Sequence, residues 1–244
     1  MSYYVNNAIY SELKRKNIKN VFWVSENAWI LVYGNANLIP KVVVIAHTQN
    51  WSVDYEIINV TKKIANDASL RMLQICFDST SPEIEFVDLI NEDGSLQEIT
   101  LGELRSTFKD LGLPVSNTET QKAINSAESS AYHHWQRISL GRGLCVADID
   151  LLKRRKDGRY SIVELKRSFY ALDKWSPFPA DFNNFYLLEK LCKMSGNSFF
   201  ILYNRRMTKP KFFDDPSIVT LFDFNDGEPI RLGTFKFDIL FKND

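Results

Sequence analysis

The chain has 244 residues, 45% hydrophobic and 25% charged, with 30 basic and 30 acidic side chains. This is an ordinary soluble globular composition: seventeen Phe, ten Tyr and five Trp supply a packed core, and the length suits one large or two modest domains. No run of about 18 apolar residues exists to span a bilayer, and the opening Met-Ser-Tyr-Tyr-Val-Asn-Asn lacks the basic-then-apolar order of a secretory signal. Three widely spaced cysteines, Cys76, Cys145 and Cys192, fit reduced thiols in a cytoplasmic protein better than a disulfide framework or a zinc site. The zero net charge argues at first against a polyanionic partner. Residues 1–110 hold 10 basic and 14 acidic groups, however, and 111–244 hold 20 and 16, so the basic excess lies in the second half.

In chain order, Tyr4, Val5, Ala8, Ile9 and Leu13 make a helical stripe over 3–16. Strands are expected at Val21–Val24, Ala28–Tyr33 and Lys41–Ala46, the first two joined as a hairpin through Ser25-Glu26-Asn27. A helix over 54–67 follows, then strands at Arg71–Phe77 and Glu83–Leu89. Thr100 with Glu103 forms a capping box for a helix that Gly112 and Pro114 end. Residues 1–112 therefore read as an N-terminal α+β domain. They carry no phosphate loop, metal-ligand set or nucleophile constellation, which leaves recognition or homodimer formation as their role. His47 reads as a strand-end core histidine, and Trp23, Trp29 and Trp51 as packing residues.

A second domain is expected over 117–244. A helix from Asn117 or Thr118 to about Ile138 buries Ile124, Ala127, Ala131, Trp135 and Ile138, with Glu128 beside that stripe. His133 and His134 point about 100° apart, so only one of them, His134 being the candidate, can reach a phosphate. Runs 146–152 and 160–165 flank Asp157-Gly158, a hairpin signal, because Gly accepts the positive φ of a tight reversal. Residues 168–179 form a long loop whose Lys174 and Trp175 either contact a nucleic-acid strand or cover the core. Asp181 reads as the N-cap of a helix ended by Gly196; a strand over 198–203 and two more, at 217–224 and 230–241, complete the chain.

The hairpin carries the chemistry. With a three-residue loop, Lys156-Asp157-Gly158, Arg155 pairs with Arg159 and Asp150 falls opposite Glu164. Cross-strand partners share a face, as do residues i and i+2, so Asp148, Asp150, Glu164 and Lys166 are expected on one side. A two-residue turn would separate Asp150 from Glu164. Converging carboxylates repel unless a hard cation neutralises them. Lys153, Arg154, Arg155, Lys156, Arg159 and Arg167 crowd the same hairpin, as a polyanionic substrate would require.

Asp150, Glu164 and Lys166 in this setting resemble the PD-(D/E)xK nuclease superfamily, over roughly residues 121–204. The proline of that pattern is missing: Ile149 precedes Asp150, and Ala147 precedes Asp148. The resemblance implies a restriction-endonuclease-like core, a mixed sheet flanked by helices. It also implies Mg²⁺-dependent phosphodiester hydrolysis, with Mn²⁺ able to substitute, on DNA before RNA. Asp150 and Glu164 would hold the metal, with Asp148 or Glu128 as further ligands, and Lys166 would assist the attacking water. Lys153, Arg154, Arg155, Arg167, Lys174 and His134 would bind the nucleic acid. The rival expectation is an inactive module of the same fold that binds nucleic acid or protein only.

Overall fold

A computed structural model describes residues 7–24, 27–81, 83–116, 130–209 and 212–243. In chain order the described elements are α1 (Ala8–Arg15), β1 (Val21–Phe22), β2 (Ala28–Asn35), β3 (Pro40–Thr48), α2 (Tyr55–Asp67), β4 (Arg71–Phe77), β5 (Phe86–Ile90), β6 (Leu96–Thr100) and α3 (Leu101–Asp110). Then come α4 (Ala131–Ser139), β7 (Leu144–Asp148), β8 (Leu151–Arg154), β9 (Tyr160–Ser168), a 3₁₀ turn (Pro179–Asp181), α5 (Phe182–Ser195), β10 (Ser198–Met207), β11 (Phe213–Asn225), β12 (Glu228–Lys236) and α6 (Phe237–Leu240). The fold is α+β, and no described helix is long and apolar enough to cross a membrane.

The described residues form two compact units, one within 24–148 and the other made of 7–23 with 149–243. The expected division at 113–116 is thus displaced to 148/149, and the first helix belongs with the second unit. Each unit holds one six-stranded sheet, in the orders β7-β2-β3-β4-β5-β6 and β1-β8-β9-β10-β11-β12. Read in that direction, both sheets run antiparallel, antiparallel, parallel, antiparallel, antiparallel. The order of the helices and strands, the 3₁₀ turn aside, also repeats: a helix, three strands, a helix, three strands, a helix.

In each sheet the outermost strand comes from the opposite half of the chain. β1 does not form the expected hairpin with β2; it pairs with β8, Val21 opposite Lys153. Reciprocally, β7 pairs with β2, Leu31 opposite Asp148. Two apolar edge strands have therefore exchanged places, each satisfying the same ladder its counterpart would.

The ends of the two crossover helices align the units. After α2, Ser69 is left-handed (φ 56°) and the Leu70 amide bonds Ala65 O at 2.8 Å; after α5, Gly196 is left-handed (φ 68°) and the Asn197 amide bonds Cys192 O at 2.8 Å. The following strands begin one residue further on, with first rungs Val42–Arg71 and Ser161–Ser198. The same offset carries buried Val60, Ile64 and Ala65 onto buried Leu187, Leu191 and Cys192.

In the first unit Tyr33, Phe77, Phe108, Tyr132 and Trp135 meet in one apolar core. The second has an aromatic core around Phe224, ringed by Phe182, Phe185 and Phe199. The capping box of Thr100 and Glu103 forms. At the C-terminus the expected 230–241 strand stops at Lys236, and Phe237–Leu240 is helical.

Candidate active site

The hairpin of β8 and β9 sets the site. Its rungs run from Leu151–Val163 to Arg154–Tyr160, the Arg155 amide bonds Arg159 O at 2.8 Å, and Gly158 has φ 79°. This is the three-residue loop expected from Asp157-Gly158. One rung beyond Leu151–Val163 the same register brings Asp150 to Glu164. There the side chain replaces the backbone rung: Asp150 Oδ2 accepts from the Leu165 amide at 2.7 Å, and Tyr10 Oη donates to Asp150 O at 3.3 Å. The Asp150 carboxylate is so fixed against β9 between residues 164 and 166.

Glu164 and Lys166 lie two apart on β9 and share a face. Lys166 Nζ is 3.0 Å from Glu164 Oε1 and 3.4 Å from Asp181 Oδ2, and it lies 5.4 Å above the Phe185 ring. Burial alone would lower the pKa of this ammonium, but Glu164, Asp181 and Asp150 together outweigh burial and hold it above the ordinary lysine value. The arrangement presents one fixed cation among three carboxylates, on the side of β9 that α5 covers.

Asp148 was expected on the same side of the hairpin. The run 146–152 is two strands rather than one; Asp148 ends β7 in the first unit, opposite Leu31, and only residues from Ile149 onward belong to the second. Glu128 lies outside the described residues. His134 is exposed on α4, in the first unit, whereas His133 is buried there and bonds Ser130 Oγ through Nδ1 at 2.8 Å.

The basic candidates divide. Arg154 packs its guanidinium on Phe22 at 4.9 Å, and four residues of strand put it about 13 Å from Asp150. Lys153 Nζ bonds Leu240 O, and Arg155 bonds Ser198 Oγ at 2.7 Å and Asp157 at 3.0 Å. These three occupy the turn end of the hairpin, away from the carboxylates. Arg167 follows Lys166 directly but is tied to buried Asp214 at 2.7 Å. Lys174 is exposed. Trp175 is a core cover and not a contact residue: it is buried and stacks on Tyr203 at 4.2 Å.

Asp181 is the residue that sequence reasoning placed in the wrong role. It occupies the N-cap position of α5 yet makes no capping bond, its carboxylate being turned to Lys166. The aligned residue of the first unit, Asp54, does cap, accepting from the Glu56 amide at 2.8 Å. An aspartate before a helix signals a cap, so only the fold could reassign it.

Among the described residues no three His, Cys, Asp or Glu groups are gathered to hold a metal. Two carboxylates, Asp150 just before β8 and Glu164 within β9, are hard oxygen donors and nevertheless fit Mg²⁺ or Mn²⁺, which bind through one or two carboxylates and complete their shell with water and phosphate. They do not fit a closed, all-protein site of the zinc type. Comparison of the chain with protein-family models, with curated proteins and with solved structures finds no match.

Proposed function

We propose that the second unit is a Mg²⁺-dependent nuclease, a DNA endonuclease in the first instance, with Asp150 and Glu164 as metal ligands and Lys166 as the catalytic cation. The observation that carries this reading is the Asp150 carboxylate bonded at 2.7 Å to the backbone between Glu164 and Lys166, which gathers two acids and an amine from two strands. A divalent ion bound there would polarise a phosphoryl oxygen and acidify a water. Asp150 is oriented for its task by the Leu165 amide. Lys166, steered by Glu164 and Asp181, holds a positive charge where a phosphate or an attacking water would sit. Phe185 forms the apolar floor that keeps the ammonium in place.

The second reading is an inactive module of the same fold that binds nucleic acid or protein. It draws support from the small acidic set and from the ion pair by which Lys166 already neutralises Glu164. Incubating the chain with plasmid, linear duplex, single strands and RNA, with Mg²⁺ and with chelator, separates the two. Metal-dependent cleavage that Lys166→Ala abolishes is the expected result. Salt-sensitive binding without cleavage in any lane favours the module.

A further inference from the structure

Beyond Lys166 the second unit carries aromatic side chains that the catalytic reading leaves unused. Phe169, Tyr170, Phe178 and Phe212 are between 47% and 62% exposed. Surface apolar residues commonly stand alone; these are paired. Phe169 and Phe212 lie 6.5 Å apart, with the Arg206 guanidinium 5.8 Å from the first ring and 4.9 Å from the second. Tyr170 and Phe178 lie 6.3 Å apart.

The foundation under these rings is fixed. Phe178 meets Trp175 at 6.2 Å, Trp175 stacks on buried Tyr203 with 5° between the planes, and Tyr203 Oη donates to Tyr170 O at 2.7 Å. Arg206 is held at 2.9 Å by buried Asp214, which also binds Arg167, the neighbour of Lys166 on the other face of β9, so the Phe169–Phe212 pair lies on the opposite side of the sheet. Tyr203 is paired with Lys166 in the parallel β9–β10 ladder. Neighbouring residues in a ladder share a face, so the Tyr170–Phe178 pair rises from the side of the sheet that carries Lys166. Exposed Arg205, two residues after Tyr203 on β10, sets a cation on the same side, while exposed Lys174 is paired with Asp173 at 3.7 Å.

We propose that the Tyr170–Phe178 surface, with Arg205 beside it, is a stacking platform for unpaired nucleotides, so that the substrate is single-stranded beside the phosphate that is cut. The proposal rests on the nuclease reading and narrows its substrate class. An aromatic ring stacks only on a base whose face is open, and in a duplex both faces are covered by neighbouring pairs. Rings that project from a rigid base lose little entropy on stacking, and Arg205 beside them answers the phosphate charge.

The test is fluorescence anisotropy in chelator with a labelled oligothymidylate and a labelled duplex of equal length. The chain is expected to bind the single strand more tightly. Tyr170→Ala with Phe178→Ala is expected to weaken single-strand binding about tenfold or more while leaving duplex binding unchanged. Tyr170→Ala alone, at a ring 57% exposed, gives the same direction should the double variant fold poorly. Unchanged single-strand binding in both variants overturns the platform, as does equal loss on duplex. A wild-type dimer that the variants dissociate in sedimentation overturns it too, by giving the surface to a second copy. Because no cleavage occurs in chelator, the two readings fail separately. Cleavage with Mg²⁺ alongside unaffected variant binding removes the platform alone, and ring-dependent binding without cleavage removes the nuclease alone.

Discussion

Where the second unit places Asp150, Glu164 and Lys166, the first places Ile30, Ile45 and His47. The equivalence follows from the first rungs of the two parallel ladders and from the hairpin rungs, since Ile30 pairs with Ile45 as Asp150 meets Glu164. Ile30 and Ile45 are sealed in the first unit's interior. His47 is buried and engaged by Thr48 O at 3.0 Å and by Gln74 at 3.4 Å. At the crossover helix Asp54 caps while Asp181 leaves its cap and turns to a lysine. One backbone plan thus supports an apolar seam in one place and an ionic cluster in the other. Connectivity supplies positions, and four side chains decide whether those positions are apolar or ionic.

Exchanging the paired residues breaks this comparison most sharply. Ile45→Glu puts an unpartnered carboxylate in a sealed interior and is expected to cost roughly 3–5 kcal/mol of stability, read by chemical denaturation. Glu164→Ile, at a half-buried position, is expected to leave the chain folded while lowering Mg²⁺-dependent cleavage about 10²–10⁴-fold. Equal and small stability losses for the pair would mean that the two environments do not differ as described.

A second effect belongs to the first unit alone. Burial, with Arg137 adding, pushes the His133 imidazole down to about 4. An unfolded histidine binds its proton near pH 6.5, as free imidazole does. Between about pH 6.5 and 4 the unfolded chain therefore binds more protons than the folded one, and stability falls as the pH drops through that window. The full loss is of order 3 kcal/mol. Thermal midpoints measured across this range are expected to decline, and His133→Gln to flatten the decline.

The smallest effect sharpens the comparison at the helix starts. Asp54→Ala removes a working cap and is expected to cost about 1 kcal/mol. Asp181→Ala removes none, so its denaturation midpoint is expected to stay near the wild-type value while cleavage falls through the loosened Lys166.

These residues also show what the amino-acid order made legible. The Asp157-Gly158 turn and the alternation on either side dictate a register, and that register brings Asp150, Glu164 and Lys166 together without further information. Thr100 with Glu103 is equally local. Asp181 was hidden because its immediate neighbours spell a cap, and its true partner lies on another element. The exchange of β1 and β7 was hidden for a related reason. Both are short apolar strands able to pair with either sheet, and proximity along the chain favours the hairpin that the fold does not use. Asp148 went with β7 to the first sheet, and residues 148 and 150 look like one strand until the sheets are known.

Binding of Mn²⁺, followed by calorimetry on the intact chain and on Asp150→Asn, tests the central claim without any knowledge of the substrate. One site that the substitution removes is the result this account predicts. No binding at millimolar Mn²⁺, or equal binding by the variant, would contradict it.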